Sequence, residues 1–137
     1  MTVAAQAKLV RRLTDKITKN VLDVTDIVED GVDGADVVVM AYGITSRVVL
    51  PAVNQLRASG RKVGVLRLRT VWPFPEHRIR ELAPKVKAFV VPELNLGQMV
   101  REVERLAGST RVISVPHAGG TVHDPATIAE ALVEALR

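Results

Sequence analysis

The chain has 137 residues, enough for one domain that buries a single sheet with helices on both sides. Its apolar fraction is 47% with only 3% aromatic residues, which excludes a disordered chain and suits short buried strands alternating with helices. There is no cysteine, which excludes a disulfide framework and any cysteine-ligated zinc or iron–sulfur centre on this chain. The net charge of +4 is unevenly spread.

Residues 3–19 place Val3, Ala7, Val10, Leu13 and Ile17 at helical spacing, with Lys8, Arg11, Arg12, Lys16 and Lys19 making the segment basic. An acidic stretch follows, from Asp23 through Asp26, Glu29, Asp30 and Asp33 to Asp36. With Gly31 and Gly34 it reads as a loop, carrying a short structured piece at 21–24. Basic and acidic segments in this order read as a solvated helix face and a polar linker, not as a nucleic-acid groove. Residues 1–35 are therefore expected to form an N-terminal helix and linker, and residues 36–137 an α/β domain.

The run from Val37 to Ala41 is continuously apolar, as in a strand buried on both faces. It is too short for the roughly 20 residues of a membrane span. The first residues lack the apolar core of a signal peptide, so the expectation is a cytoplasmic protein with no membrane partner. Gly43 ends the strand, and Thr45 or Ser46 is expected to cap a helix striped by Ile44, Val48, Val49, Ala52, Val53 and Leu56 and closed by Gly60. Pro51 predicts a late start or a kink in it. Residues 62–69 form the next strand and 70–75 a loop. Pro75 opens a short helix over 75–82 that stops near Pro84. Residues 86–91 predict a third strand. Asn95 is expected to cap a helix over 96–107 with Leu96, Met99, Val100, Val103 and Leu106 inward. Residues 111–115 predict a fourth strand, and Asp124-Pro125 the capped start of a terminal helix with Ile128, Leu132 and Leu136 inward. Strands alternating with helices predict a three-layer α/β fold: an open, mainly parallel sheet with helices on both faces.

In such a sheet, ligands and partners meet the loops at the C-terminal strand ends. These carry Tyr42-Gly43, Arg69-Thr70, Glu93-Leu94-Asn95 and Pro116-His117. Arg67 and Arg69 share one strand face, and Glu93 is a partner for them if the second and third strands are neighbours. That cluster reads either as an ion pair closing the sheet edge or as a subunit contact, and no nucleophile–base pair is evident in it. Two histidines, His117 and His123, flank Gly119-Gly120 without any second metal-ligand spacing. The helix start at Gly43–Ser46 suits an anion, but its single glycine matches no nucleotide-binding fingerprint. The sole tryptophan lies in Val71-Trp72-Pro73-Phe74-Pro75. Its aromatics either fold back onto their own core or form a rigid exposed ridge of the kind that anchors interfaces.

At this point the residues resemble a family. The stretch ADVVVMAYGITSRVVLPAVNQLRASGRKVGVLRLRTVWPFP is similar to the opening of transketolase C-terminal-like domains. WPFPEHRIRELAPKVKAFVVPELNLGQMVREVERL then resembles the α subunit of 2-oxoacid:ferredoxin oxidoreductases, the 2-oxoglutarate type most of all. The resemblance covers nearly the whole chain and is weakest after about Ser114. It implies an enzyme that decarboxylates a 2-oxoacid, forms an acyl-CoA and reduces ferredoxin, using thiamine diphosphate, magnesium and iron–sulfur clusters. It implies too that those cofactors bind other domains, since this chain has neither the thiamine diphosphate motif nor a cysteine. The chain would then be a structural and assembly domain, without catalytic, cofactor-binding or metal residues of its own. Its partners would be the β subunit and an N-terminal domain of the α subunit, with ferredoxin reached through the complex. Arg69, Trp72, Pro73, Phe74, Pro75, Glu93, Asn95, Gly97 and Gln98 form the candidate interface. The alternatives are the C-terminal domain of a transketolase or a 2-oxoacid dehydrogenase β-type enzyme, and a small anion-binding module.

Overall fold

The apolar run after Asp36 becomes the centre of the sheet. The structure, a computed structural model, describes residues 2–137. Strand β2 (Val37–Tyr42) is flanked in parallel by β3 (Val63–Leu68) and β4 (Ala88–Glu93), and β4 is joined in parallel by β5 (Arg111–Pro116). Because side chains alternate along a strand, β2 feeds two cores. Val37, Val39 and Ala41 meet α3 (Thr45–Ala58) and α6 (Pro125–Ala135) through Val49, Val53, Ile128 and Leu132. Val38 and Met40 share the opposite core with Phe74, Ile79 and Val103, contributed by the side of α4 (Glu76–Leu82) and α5 (Met99–Ala107). The three-layer, mainly parallel architecture is the one expected.

The N-terminal quarter departs from the expectation. The helix α1 (Val3–Thr18) and a short turn of helix α2 (Val21–Val24) form as read, but the acidic segment is not a plain linker. Ile27–Asp30 forms β1, an edge strand antiparallel to β3, giving the order β1-β3-β2-β4-β5. Arg57 holds it by donating to the Asp30 carboxylate (2.9 Å) and carbonyl (2.8 Å). Arg78 donates to both oxygens of Glu29 (2.6 and 2.7 Å) and to Asp33 (2.8 Å). Val32 and Ala35 are buried in the core on the α4/α5 side. Gly64 shows how close this loop packs: a Cβ there would stand 2.7 Å from the Val32 Cα.

Helix starts also differ. Helix α3 begins at Thr45 with Pro51 inside it, and no side chain caps it. The Ser46 hydroxyl instead donates back to the Gly43 carbonyl (2.7 Å). Helix α5 begins at Met99, three residues later than expected, and Leu96 points to solvent at 82% exposure. Asp124 caps α6 as predicted, accepting from the Ala126 amide at 2.9 Å. Among the described residues no helix is long and apolar enough to cross a membrane.

Candidate functional site

The C-terminal ends of β2 and β4 carry Tyr42 and Glu93 side by side. Glu93 is 1% exposed, so its carboxylate must be fully engaged. One oxygen accepts from the Val100 amide (2.9 Å). The other accepts from the Met99 amide (2.8 Å), the Asn95 side-chain amide (3.1 Å) and the Tyr42 hydroxyl (3.2 Å). Glu93 thus supplies the cap of α5: a carboxylate on the first free amides of a helix, where the macrodipole favours negative charge. Asn95 does not cap α5 itself. It folds the connecting turn, its oxygen accepting from the Gly97 (2.7 Å) and Gln98 (3.0 Å) amides while its NH2 donates to the Tyr42 oxygen (2.9 Å). Gly97 is required there by a φ of 94°. Burial and then the Glu93 charge hold the Tyr42 phenol above its ordinary 10.0.

The expected pairing of Glu93 with Arg67 and Arg69 does not occur, because β2 lies between β3 and β4. Arg69 pairs with Asp26 at 3.6 Å, both more than half exposed. Arg67 is half-buried and its Nε has no hydrogen-bond partner. The two aromatics of the proline-rich loop part company. Phe74 is 7% exposed and packs in the core with Ile79 and Val103, so it leaves the candidate contact surface, and Pro75 is buried too. Trp72 is 69% exposed, beside Val71 at 39%. One ring folds back onto the core and the other stays exposed.

A groove of about 590 Å³ opens between this loop and the N-terminal arm. Trp72, Pro73 and Phe74 line one wall and Ile17, Thr18 and Val21 another, with Met99 and Glu102 from α5. The fold therefore joins the Trp72 loop to the start of α5, but Arg69, Asn95, Gly97 and Gln98 do not line that groove. Sequence reasoning missed Tyr42 as a partner of Glu93 and missed Ile17, Val21 and Met99 as neighbours of Trp72. Both Tyr42 and Glu93 were legible as strand ends, but their pairing follows from the strand order, which no local signal carries. The His117 and His123 rings lie with centroids 5.2 Å apart, tilted at 45° to one another. His123 is buried and bonds the Val115 carbonyl at 2.8 Å, and His117 bonds Thr121 at 2.9 Å. Among the described residues no three His, Asp or Glu side chains converge as metal ligands.

Comparison with known proteins gives the family. Residues 35–128 match the family described as pyruvate:ferredoxin oxidoreductase core domain II. The 2-oxoglutarate synthase subunit KorA of Methanothermobacter marburgensis is 43% identical over 119 residues, 86% of this chain and 32% of the relative. The ketoisovalerate oxidoreductase subunit VorB of the same organism is 44% identical over 91 residues, covering 66% of this chain and 26% of that one. Among solved structures, the 2-oxoglutarate:ferredoxin oxidoreductase of Magnetococcus marinus, with 2-oxoglutarate, coenzyme A and succinyl-CoA bound, superposes with a TM-score of 0.81 at 29% identity. It covers 97% of this chain and 24% of that one. A split-gene transketolase, in an inactive tetramer, shares the fold at a TM-score of 0.68 and 21% identity, over 82% of this chain and 41% of its own. The chain spans about a third of the length of the curated 2-oxoglutarate synthase subunits it matches. It belongs to the pyruvate:ferredoxin oxidoreductase core domain II family.

Proposed function

We infer that this chain is a structural and assembly domain of a thiamine diphosphate-dependent 2-oxoacid:ferredoxin oxidoreductase. In that reading the enzyme turns a 2-oxoacid, 2-oxoglutarate by similarity to its relatives, into an acyl-CoA and passes the electrons to ferredoxin. The observation that carries it is the chemistry of the sheet edge. The buried carboxylate there is consumed by helix capping, with four hydrogen bonds from amides and a phenol, and the exposed material beside it is apolar.

The sheet-edge residues described above do not fit the family's cofactors. A cluster needs thiolates, and the sequence has no cysteine. Magnesium diphosphate needs free oxygen ligands, whereas both Glu93 oxygens already accept hydrogen bonds. In this reading thiamine diphosphate, magnesium and the clusters belong to other domains of a cytoplasmic complex. The contact surface offered to the β subunit and to the N-terminal domain of the α subunit comprises Arg69, Trp72, Pro73, Asn95 and Gln98 at the sheet edge, with Glu93, Phe74, Pro75 and Gly97 as buried supports. Titration of the chain with thiamine diphosphate and magnesium in a calorimeter is expected to give no binding heat. Saturable micromolar binding overturns the reading.

A further inference from the structure

The fold half-buries three arginines, Arg57, Arg67 and Arg78; every other arginine and lysine among the described residues is exposed. Taking a guanidinium out of water is costly unless a carboxylate or other acceptors replace the solvent. Two of the three meet that condition. Arg57 holds the Asp30 carboxylate at 2.9 Å, and Arg78 holds Glu29, Asp33 and Glu81 at 2.6, 2.8 and 2.8 Å. Arg67 is the exception: among the described residues it has no carboxylate partner, and its buried Nε donates to nothing.

Its surroundings explain why. Arg67 is the penultimate residue of β3 and follows Val63 and Val65 on the sheet face that α3 and α6 cover. Directly across from it stand Val28 on β1 and Ala41 on β2, neither with a side-chain acceptor. The next residue on that face of β1's side is Asp26, and Arg69 engages it at 3.6 Å. The corner where β1 starts and β3 ends therefore holds two guanidiniums and one carboxylate. It lies at the C-terminal edge of the sheet, where an open α/β sheet meets ligands and partners. The planar fork of a guanidinium fits a carboxylate, which accepts two of its N–H groups side by side. Val71 and Trp72, exposed at 39% and 69%, follow at the same edge, and a cation beside apolar surface suits a protein partner better than a free anion. We propose that Arg67 is an assembly anchor, pairing with an aspartate or glutamate side chain from the rest of the oxidoreductase.

The inference deepens the assembly-domain reading and rests on it. In the chain alone, Arg67→Met is expected to leave the urea midpoint unchanged or raise it, because the unpaired cation goes while an apolar stem stays; Arg57→Met should lower it. In the complete oxidoreductase, Arg67→Met should weaken binding of the chain to the remaining subunits at least about tenfold, since the partner's carboxylate is left unpaired. Arg67→Lys keeps the charge without the fork and should recover part of that affinity. Carbodiimide coupling gives a direct readout: the amine introduced by Arg67→Lys should be joined to an aspartate or glutamate of another domain, located by mass spectrometry. A lower urea midpoint in Arg67→Met alone reveals a partner within the chain and overturns the proposal. Unchanged binding in Arg67→Met, with no link formed at position 67, overturns it too. So does a urea midpoint raised by acetate or phosphate at constant ionic strength in the parent but not in Arg67→Met, which assigns the guanidinium to a free anion. A chain that binds none of the remaining subunits overturns the assembly-domain reading as well, an outcome distinct from binding that survives Arg67→Met.

Discussion

Glu93 shows how a single side chain decides a local fold. Replacing it by alanine leaves the Met99 and Val100 amides, the Asn95 amide and the Tyr42 hydroxyl without their acceptor. A lost cap costs about 1 kcal/mol and an unsatisfied buried partner about 1–3 kcal/mol, so Glu93→Ala is expected to lose about 2–4 kcal/mol in urea unfolding. Glu93→Gln keeps the volume but turns an NH2 toward amide donors, and should recover only part of that loss. The two aromatics of the proline-rich loop give an opposed pair. Phe74→Ala should cost about 3–5 kcal/mol, because a 7% exposed ring leaves a cavity. Trp72→Ala, at 69% exposure, should stay within about 0.5 kcal/mol of the parent while weakening subunit association in the complete oxidoreductase. Denaturation of the isolated chain and gel filtration of the complex separate the two effects. A collapse of stability in Trp72→Ala with association intact would place that ring in the core.

At the scale of elements, β1 is the test. Edge strands rich in charge resist pairing with other molecules, and Glu29 and Asp30 supply that charge here. Two apolar residues followed by two carboxylates give too little alternation to read as a strand, so the sequence alone suggests a linker. Its partners, Arg57 and Arg78, lie 27 and 49 residues away, and such separation hides the pairing from local reasoning. Removing residues 1–20 should leave the domain folded, since α1 buries nothing in it. Removing residues 1–35 strips β1 from β3 and takes Val32 and Ala35 out of the core, so that chain should unfold at lower urea and aggregate. Equal midpoints for the two truncations would show that β1 contributes nothing to the sheet.

Across the whole molecule, what was legible follows from period and punctuation. The runs at Val37–Ala41 and 62–69, with Gly43 and Gly60 between them, sufficed to predict a parallel sheet with two covered faces. What was not legible is the order of the strands. Nothing local says that β2 separates β3 from β4, and that fact alone parts Glu93 from Arg69 and joins it to Tyr42. The same distant pairings set the response to pH. Arg105 and then Arg80 hold the Glu76 carboxyl below its ordinary 4.5, and Lys85 and Arg78 do the same for Glu81. A depressed carboxyl contributes stability above its unfolded value and loses it as pH falls through the folded one. The Tyr42 phenol is shifted upward, so its contribution is complete below about pH 10 and is lost as the phenol ionises beside Glu93. Urea midpoints should therefore be flat for these groups between about pH 5 and 10, falling on either side. The acid limb rests on exposed pairs and should shrink in high salt, whereas the alkaline limb rests on a half-buried phenol and should persist. Tyr42→Phe should remove the alkaline component and leave the acid limb in place. An alkaline limb unchanged in Tyr42→Phe would mean that another group carries it and that the Tyr42–Glu93 contact does not govern the sheet edge.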